Sequence, residues 1–281
     1  MKFLKILPIL LLNISCYAQT NLDKYVIDDD GINIEKADNS KTYDENYNFN
    51  NVIYAIGKKI TYSYLYQNIG GENFLMKRGQ AVLQPEGYSI YDWDLINFEK
   101  QDNETVIHII LNPNSGNPFE EDLPEYNQTA IDYEYVMNNG QSLATETTGA
   151  IENEINVWIH PPRSNLFKIL ELNPFPYIKQ PYKIGTRWSW KLKIGEYWSD
   201  KRWLEWKGSI ENIYDYEIKE KKNISTKFGY LECYVVHSKA KSRIGETQLI
   251  SYFNPEFGFV KLEYINIDGT KIFLELEKVE K

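Results

Sequence analysis

Alternating hydrophobic and polar positions recur along most of the chain after residue 50, and this pattern predicts β-strands. In residues 60–66, for example, isoleucine and tyrosine occupy the even positions and threonine, serine and leucine the odd ones. A period of two places each set on its own face of a strand. Further stretches predicted as strands are 88–98, 105–111, 129–137, 187–194, 214–219, 231–237, 249–253, 259–266 and 272–276.

Turn residues between these stretches place consecutive strands side by side. Asn138-Asn139-Gly140 and Asp268-Gly269 are hairpin signals, because glycine adopts the positive φ that tight turns require. We expect a positive φ at Gly258 as well, in the loop after Asn254. The strands follow one another without intervening helices, so the predicted fold is mainly β and antiparallel, with one or two short helices.

Residues 151–160 are predicted as one strand, and its mixed face carries the sharpest candidate site. Hydrophobic side chains at 151, 155, 157 and 159 form one face, and the other holds Glu152, Glu154, Asn156, Trp158 and His160. Two carboxylates, a histidine and an aromatic ring pointing the same way can line a binding site or serve in acid–base chemistry. More commonly, such a face is the solvent-exposed side of a sheet.

Prolines bracket a short predicted helix after this strand. Pro161-Pro162 ends the strand because neither residue can donate a backbone hydrogen bond. Ser164 or Asn165 is expected to cap a helix that ends near Leu172. A helix this short does not persist alone, so we expect Phe167 and its hydrophobic neighbours to pack against the sheet.

Two more residues complete the set of candidate ligand-binding residues. They are Trp198 and Arg163, which directly follows Pro161-Pro162, called the proline corner below. Trp198 belongs to a group of tryptophans within nineteen residues: Trp188, Trp190, Trp198, Trp203 and Trp206. Exposed on a concave sheet, such rings would stack on sugars or hold acyl chains. Strand alternation favours a core position for Trp188 and Trp190, whereas Trp198, beside charged residues, fits either interpretation.

The chain begins with an export signal. Lys2 and Lys5 precede a short apolar run, and Ala18 precedes a predicted cleavage point at Gln19. In a second interpretation Cys16 is the acylated residue of a lipoprotein signal. Residues 19–50 form a polar, loosely ordered leader, with a small hairpin expected around Asp30-Gly31. Residues 51–281 form a single β-rich domain, divisible into halves 51–148 and 149–281.

The predicted location is therefore the periplasm, the outer membrane surface or the extracellular space. No later stretch reaches the roughly 20 apolar residues of a membrane-spanning helix. The 281-residue chain carries 31 basic and 40 acidic residues, a net charge of −9, and loss of Lys2 and Lys5 changes this to −11. An acidic chain without a basic face excludes nucleic acid as a partner and disfavours electrostatic docking on anionic lipid.

No catalytic or metal-binding motif occurs in the sequence. The three histidines, His108, His160 and His237, are far apart and lack the paired spacing of a zinc site. After signal cleavage Cys233 is a lone cysteine, which on a strand is usually buried. Neither a phosphate loop nor a nucleophile elbow is found. We therefore predict no catalytic residues, no metal and no cofactor.

Two parts of the sequence resemble uncharacterised exported proteins of Bacteroidota. They are the closing run YFNPEFGFVKLEY at Tyr252–Tyr264 with its Asp268-Gly269 turn, and the central segments VWIHPPR and ELNPFP. Some proteins of that group are similar to the lipoprotein-carrier half-barrel. The resemblance implies a curved antiparallel sheet or half-barrel wrapped around helices, and it brings no catalytic residues.

Three functional hypotheses follow. The first is a non-enzymatic envelope or secreted protein that holds an apolar or amphiphilic ligand in its curved sheet. The second is a glycan-acting hydrolase or carbohydrate-binding module that uses carboxylates such as Glu152 and Glu154. The third is a protein-interaction module. A deep apolar cavity favours the first, facing carboxylates in an open cleft the second, and a filled core with an exposed apolar patch the third.

Overall fold

The computed structural model describes residues 25–27, 33–35 and 51–281, apart from 86, 88, 117, 119–127 and 227–228. The predicted export signal, Cys16 and most of the predicted leader lie outside the described residues. Within the leader, strands β1 (Tyr25–Ile27) and β2 (Asn33–Glu35) pair antiparallel.

Fourteen further strands within the described residues form one antiparallel sheet. They are β3 (Lys59–Gln67), β4 (Asn73–Leu83), β5 (Ser89–Asn97), β6 (Val106–Pro113), β7 (Thr129–Met137), β8 (Ser142–Glu152), β9 (Asn156–Ile159), β10 (Tyr177–Lys179), β11 (Arg187–Ile194), β12 (Ile210–Thr226), β13 (Gly229–Ser242), β14 (Gly245–Asn254), β15 (Gly258–Ile265) and β16 (Lys271–Glu280). Within the described part of the chain, three short 3₁₀ helices cover Phe98–Lys100, Asn165–Leu172 and Glu196–Trp198. The second of these is called the plug helix below.

The sheet curls into a nearly closed barrel with one seam, which confirms the predicted fold class. Its strand order is β10-β9-β8-β7-β6-β3-β16-β15-β14-β13-β12-β11, so β10 and β11 flank the seam. Aromatic rings bridge the seam from inside: the Tyr177 ring lies 5.6 Å from that of Trp188 and 5.5 Å from that of Tyr216. Edge-to-face pairs of this kind add to the energy of burial. Side-chain packing therefore joins the two edges.

The plug helix lies inside the barrel, as the sequence predicted. Phe167 is fully buried, and its ring lies 5.0 Å from that of Tyr64 on β3 and 5.5 Å from that of Tyr135 on β7. The predicted cap is wrong in detail, because Ser164 makes no side-chain capping bond and its hydroxyl donates to Glu146 instead. Packing, rather than a local cap, holds this helix.

Side chains of the barrel wall satisfy the polar backbone at the end of the plug helix. The Leu172 carbonyl accepts hydrogen bonds from Asn212 Nδ2 at 3.1 Å and from Thr247 Oγ1 at 2.8 Å. Three residues further on, Tyr216 Oη donates to the Phe175 carbonyl at 3.0 Å. Buried carbonyls without partners are costly, so these bonds fix where the plug ends.

The β4–β5 hairpin leaves the barrel and exposes an apolar tip. The strand pairing between β4 and β3 comprises Tyr66↔Phe74 and Gln67↔Asn73, and among the described strands β5 pairs with β4 alone. The exposed hydrophobic side chains near the tip are Val82, Leu83, Ile90 and Tyr91. On β5, the Asp92 and Asp94 side chains accept the backbone N–H groups of the residues that follow them, which makes those donors unavailable to another strand.

Glycine has positive φ at each turn where the sequence predicted it. Gly140, Gly258 and Gly269 have φ values of 81°, 78° and 83°. At Gly258 a Cβ atom would also lie 2.7 Å from the Ile53 side chain. This glycine therefore serves both the turn and a close contact with the segment before β3.

Replacing Phe167 with alanine tests the filled interior. Because the ring is fully buried between β3 and β7, we expect Phe167→Ala to lower the free energy of unfolding by about 3–5 kcal/mol. Phe98→Ala is the matched control, since that ring is 40% exposed and should cost about 1 kcal/mol or less. Urea denaturation of both variants measures the difference, and equal small losses would contradict a packed plug.

Candidate functional site

The predicted single strand at 151–160 is wrong, because the chain reverses direction within it. β8 ends at Glu152 and β9 begins at Asn156, and the two strands pair antiparallel. Asn153 makes the reversal: its Oδ1 accepts the N–H groups of Ile155 and Asn156, both at 2.9 Å. An asparagine that bonds to the backbone two residues on is a typical turn former.

This reversal separates the residues that the sequence placed on one face. Ile151 lies opposite Trp158 and Glu152 opposite Val157, so Trp158 and Glu152 point to different faces. Trp158 is buried, and its ring packs against those of Phe175 at 5.8 Å and Trp190 at 6.3 Å. Glu154 is exposed in the turn, and Asn156 is fully buried. The proposed cluster is not assembled.

Glu152 binds the backbone of the segment that leads into β3. Its two carboxylate oxygens accept the N–H groups of Val52, Ile53 and Tyr54 at 2.8–3.0 Å. Successive N–H groups that converge in this way form a concave anion-binding site, filled here by the protein's own carboxylate. Both oxygens are occupied, which argues for a structural role.

His160 is half-buried and contributes little to the surface. Its side chain is 12% exposed, and its ring lies 4.6 Å from that of Phe175. Nδ1 lies 2.7 Å from the Pro161 carbonyl oxygen, so this nitrogen carries the hydrogen. Nε2 lies 3.3 Å from Glu171 Oε2, the separation of an ion pair, although that oxygen has no hydrogen-bond partner among the described residues. Because Glu171 belongs to the plug helix, this contact joins the residue after β9 to the plug.

Two of the candidate residues do come together, in a cleft of about 580 Å³ beside the proline corner. We call it the corner cleft. Its walls come from β8, the corner, the plug helix and the 3₁₀ turn at Glu196–Trp198. The lining residues used below are Glu146, Arg163, Ser164, Lys168, Tyr197 and Trp198.

Glu146 anchors the corner cleft from β8. Its Oε1 accepts hydrogen bonds from the Tyr135 hydroxyl at 2.6 Å and from the backbone N–H of Arg163 at 2.7 Å. Its Oε2 accepts a hydrogen bond from the Ser164 hydroxyl. Burial raises the pKa of Tyr135 well above its usual range, and the nearby Glu146 charge adds to this, so the phenol remains a donor. One carboxylate thus fixes the start of the plug helix.

Each cation of the corner cleft lies over an aromatic ring. The Arg163 guanidinium lies 5.8 Å from the Trp198 ring centre and donates to the Thr147 carbonyl at 3.1 Å. Lys168 Nζ lies 4.5 Å from the centre of the Tyr197 ring. Tyr197 is 77% exposed, and Trp198 is half-buried. The cleft therefore combines positive charge with apolar ring surface.

The sequence predicted two residues of the corner cleft, Arg163 and Trp198, as ligand-binding candidates and did not predict its other lining residues. Trp188 and Trp190 are buried, as their alternation predicted, and this leaves Trp198 as the tryptophan that reaches the cleft. Lys168 and Glu146 were missed. Lys168 had a readable signal, because a lysine in the apolar helix NLFKILEL must direct its charge towards solvent. Glu146 had none, since its partners come from distant parts of the chain.

Two other cavities lie elsewhere on the described surface. A polar groove of about 620 Å³ crosses the outer face of β11–β14, and a pocket of about 240 Å³ lies over the plug helix next to Trp93 and Trp203. None of the six sequence-predicted candidates lines either.

Burial raises the pKa of Cys233 to about 11, which keeps this thiol protonated.

No group of three or more histidine, cysteine, aspartate or glutamate side chains in the described part of the chain is arranged to hold a metal ion. No helix found there has both the length and the apolar character needed to cross a bilayer.

Comparison with known proteins finds structural neighbours only. No protein-family model matches the chain, and no curated protein is significantly similar to it. A protein from Bacteroides fragilis described as exported, with a YmcC-like fold, is 10% identical; the match covers 80% of this chain and 96% of that one, with a TM-score of 0.39.

Two further neighbours are described as lipoproteins. One, from Parabacteroides distasonis, is 13% identical over 81% of this chain and 96% of its own, with a TM-score of 0.43. The hypothetical lipoprotein YmcC from Escherichia coli is 12% identical over 82% and 92%, with a TM-score of 0.31. The resemblance to exported Bacteroidota proteins seen in the sequence agrees with these neighbours. Likeness of this size says nothing about ligand or activity.

The structural role of Glu152 is tested by Glu152→Gln. The amide keeps the shape of the side chain but removes the charge and turns an NH₂ group towards backbone donors. We expect the free energy of unfolding to fall by about 1–3 kcal/mol. Glu256→Gln, at an exposed carboxylate between β14 and β15, should change it by no more than about 0.5 kcal/mol. Thermal and urea melts decide, and an unchanged Glu152→Gln variant would mean that the hydrogen bonds from the three backbone N–H groups stabilise nothing.

Proposed function

We propose that this chain is an exported, non-enzymatic cell-envelope or secreted protein that binds an amphiphilic ligand in the corner cleft. The predicted N-terminal export signal supports export. The observation that supports the binding site is the pairing of two aromatic rings, Tyr197 exposed and Trp198 half-buried, with cations outside a filled barrel. Rings take up apolar groups, and cations take up polar ones, so the cleft suits a ligand with both.

A surface site follows from the filled interior. Phe167 and Phe175 occupy the space that an apolar ligand would need inside the curved sheet, and both are almost completely buried. Placing a ligand there would require the plug helix to leave, with loss of its hydrogen bonds to Asn212 and Thr247. The corner cleft is already open and needs no such rearrangement.

The hydrolase alternative is weaker than the binding proposal. It requires two free carboxylates facing each other, but the Glu152 carboxylate is occupied by three backbone N–H groups. A carbohydrate-binding module is compatible with the exposed Tyr197 ring. A protein-interaction module is the second candidate function, and the exposed apolar side chains at the β4–β5 tip, Leu83 above all, favour it.

Calorimetric titration of the full exported chain with dodecyl maltoside, below its micelle concentration, tests the proposal. We expect saturable binding that Tyr197→Ala and Trp198→Ala each weaken by about tenfold, because each removes one ring of apolar contact. Tyr230→Ala is the matched control, since that tyrosine on β13 is 81% exposed and lies outside the cleft.

Titration with maltose separates the binding of an amphiphile from the binding of a sugar. Binding of maltose as tight as that of dodecyl maltoside would replace the proposal with a carbohydrate-binding module. Absence of binding to the amphiphile, or binding that none of the ring variants weakens, would contradict the proposed site and leave the interaction module as the remaining candidate.

A further inference from the structure

We infer that the corner cleft selects amphiphiles whose headgroup is an anion, held between Arg163 and Lys168. This inference rests on the proposed function and adds the chemical class of the headgroup. It starts from the cations themselves: within the described residues, neither forms an ion pair with a carboxylate, and each lies over an aromatic ring. Elsewhere on the barrel, Lys191 pairs with Glu211 at 3.1 Å and Arg187 with Glu217 at 3.2 Å.

The carboxylates near the cleft are already bound to other groups. Both carboxylate oxygens of Glu146 accept hydrogen bonds, from the Tyr135 and Ser164 hydroxyls and from the Arg163 backbone N–H. Asp200 lies close enough to Lys168 for their charges to interact, but Arg202 binds both of its oxygens, at 2.9 and 3.0 Å. Those hydrogen bonds lower the pKa of Asp200 and keep it ionised and committed to Arg202. The Arg163 guanidinium and the Lys168 ammonium are therefore left for a ligand.

A ligand anion would gain more here than on an open surface. Arg163 is half-buried and held by the Thr147 carbonyl, so its guanidinium needs little ordering to donate to an incoming oxygen. Hydrogen bonds between ionised partners are stronger than neutral ones. The rings of Tyr197 and Trp198 beside the cations accept the apolar part of the same molecule. The two cations would repel a cationic headgroup, and a neutral one gains neither ion pair.

Three amphiphiles with the same chain and different headgroups test this selection: dodecyl phosphate, dodecyl maltoside and dodecyltrimethylammonium. Each is titrated calorimetrically into the full chain below its micelle concentration, with inorganic phosphate as a fourth arm. We expect dodecyl phosphate to bind at least about tenfold more tightly than the maltoside, the factor of one charge-assisted hydrogen bond. The ammonium compound should bind most weakly.

Arg163→Gln and Lys168→Gln should each weaken the binding of dodecyl phosphate more than that of dodecyl maltoside, and so remove most of the preference for phosphate. Lys191→Gln is the matched control at a cation outside the cleft, and circular dichroism melts check that every variant folds. Equal affinity for the phosphate and the maltoside, both lost in Trp198→Ala, would overturn anion selection while the binding proposal stands. No binding of any amphiphile would overturn both. Inorganic phosphate that binds as tightly as dodecyl phosphate would also overturn the inference, because the apolar chain would then contribute nothing.

Discussion

The structure depends on how the plug helix is held inside an incompletely closed barrel. The seam between β10 and β11 leaves two strand edges joined by aromatic packing, so the interior must be solid for the wall to keep its shape. The plug provides that solid core. The last carbonyl of the plug helix accepts hydrogen bonds from Asn212 and Thr247. The plug helix can therefore be buried in the core with this backbone group paired.

The same arrangement also builds the proposed ligand site. A plug that enters from the proline corner must begin at the barrel mouth, and Glu146 fixes that beginning through three hydrogen bonds. The residues beside the corner are therefore held in place while facing solvent. Arg163, Lys168 and the turn that carries Tyr197 meet there. The features that make the barrel interior unavailable also build a rigid cleft outside it.

Period-two alternation predicted most of the strands and the buried positions of Trp188 and Trp190, because such patterns reflect burial directly. The flanking prolines and cap residues predicted the short helix, whereas β4 was not predicted. Alternation failed at 151–160, where it continues through a reversal of the chain and only Asn153 marks the turn. It also could not show that Glu152 would bind a segment a hundred residues earlier, or that Glu146 would meet the corner. Such pairings depend on tertiary structure and leave no trace in local spacing.

The central claim is that the plug remains in the barrel in the native state, so that ligands bind outside. Native-state hydrogen exchange of the segment 165–172, followed by mass spectrometry at increasing denaturant, tests it most directly. If the claim holds, amides of this segment exchange only through global unfolding, with the same free energy as the strands that flank Phe167. Exchange within seconds in native buffer, while those strands remain protected, would contradict the claim and make the barrel interior the ligand site.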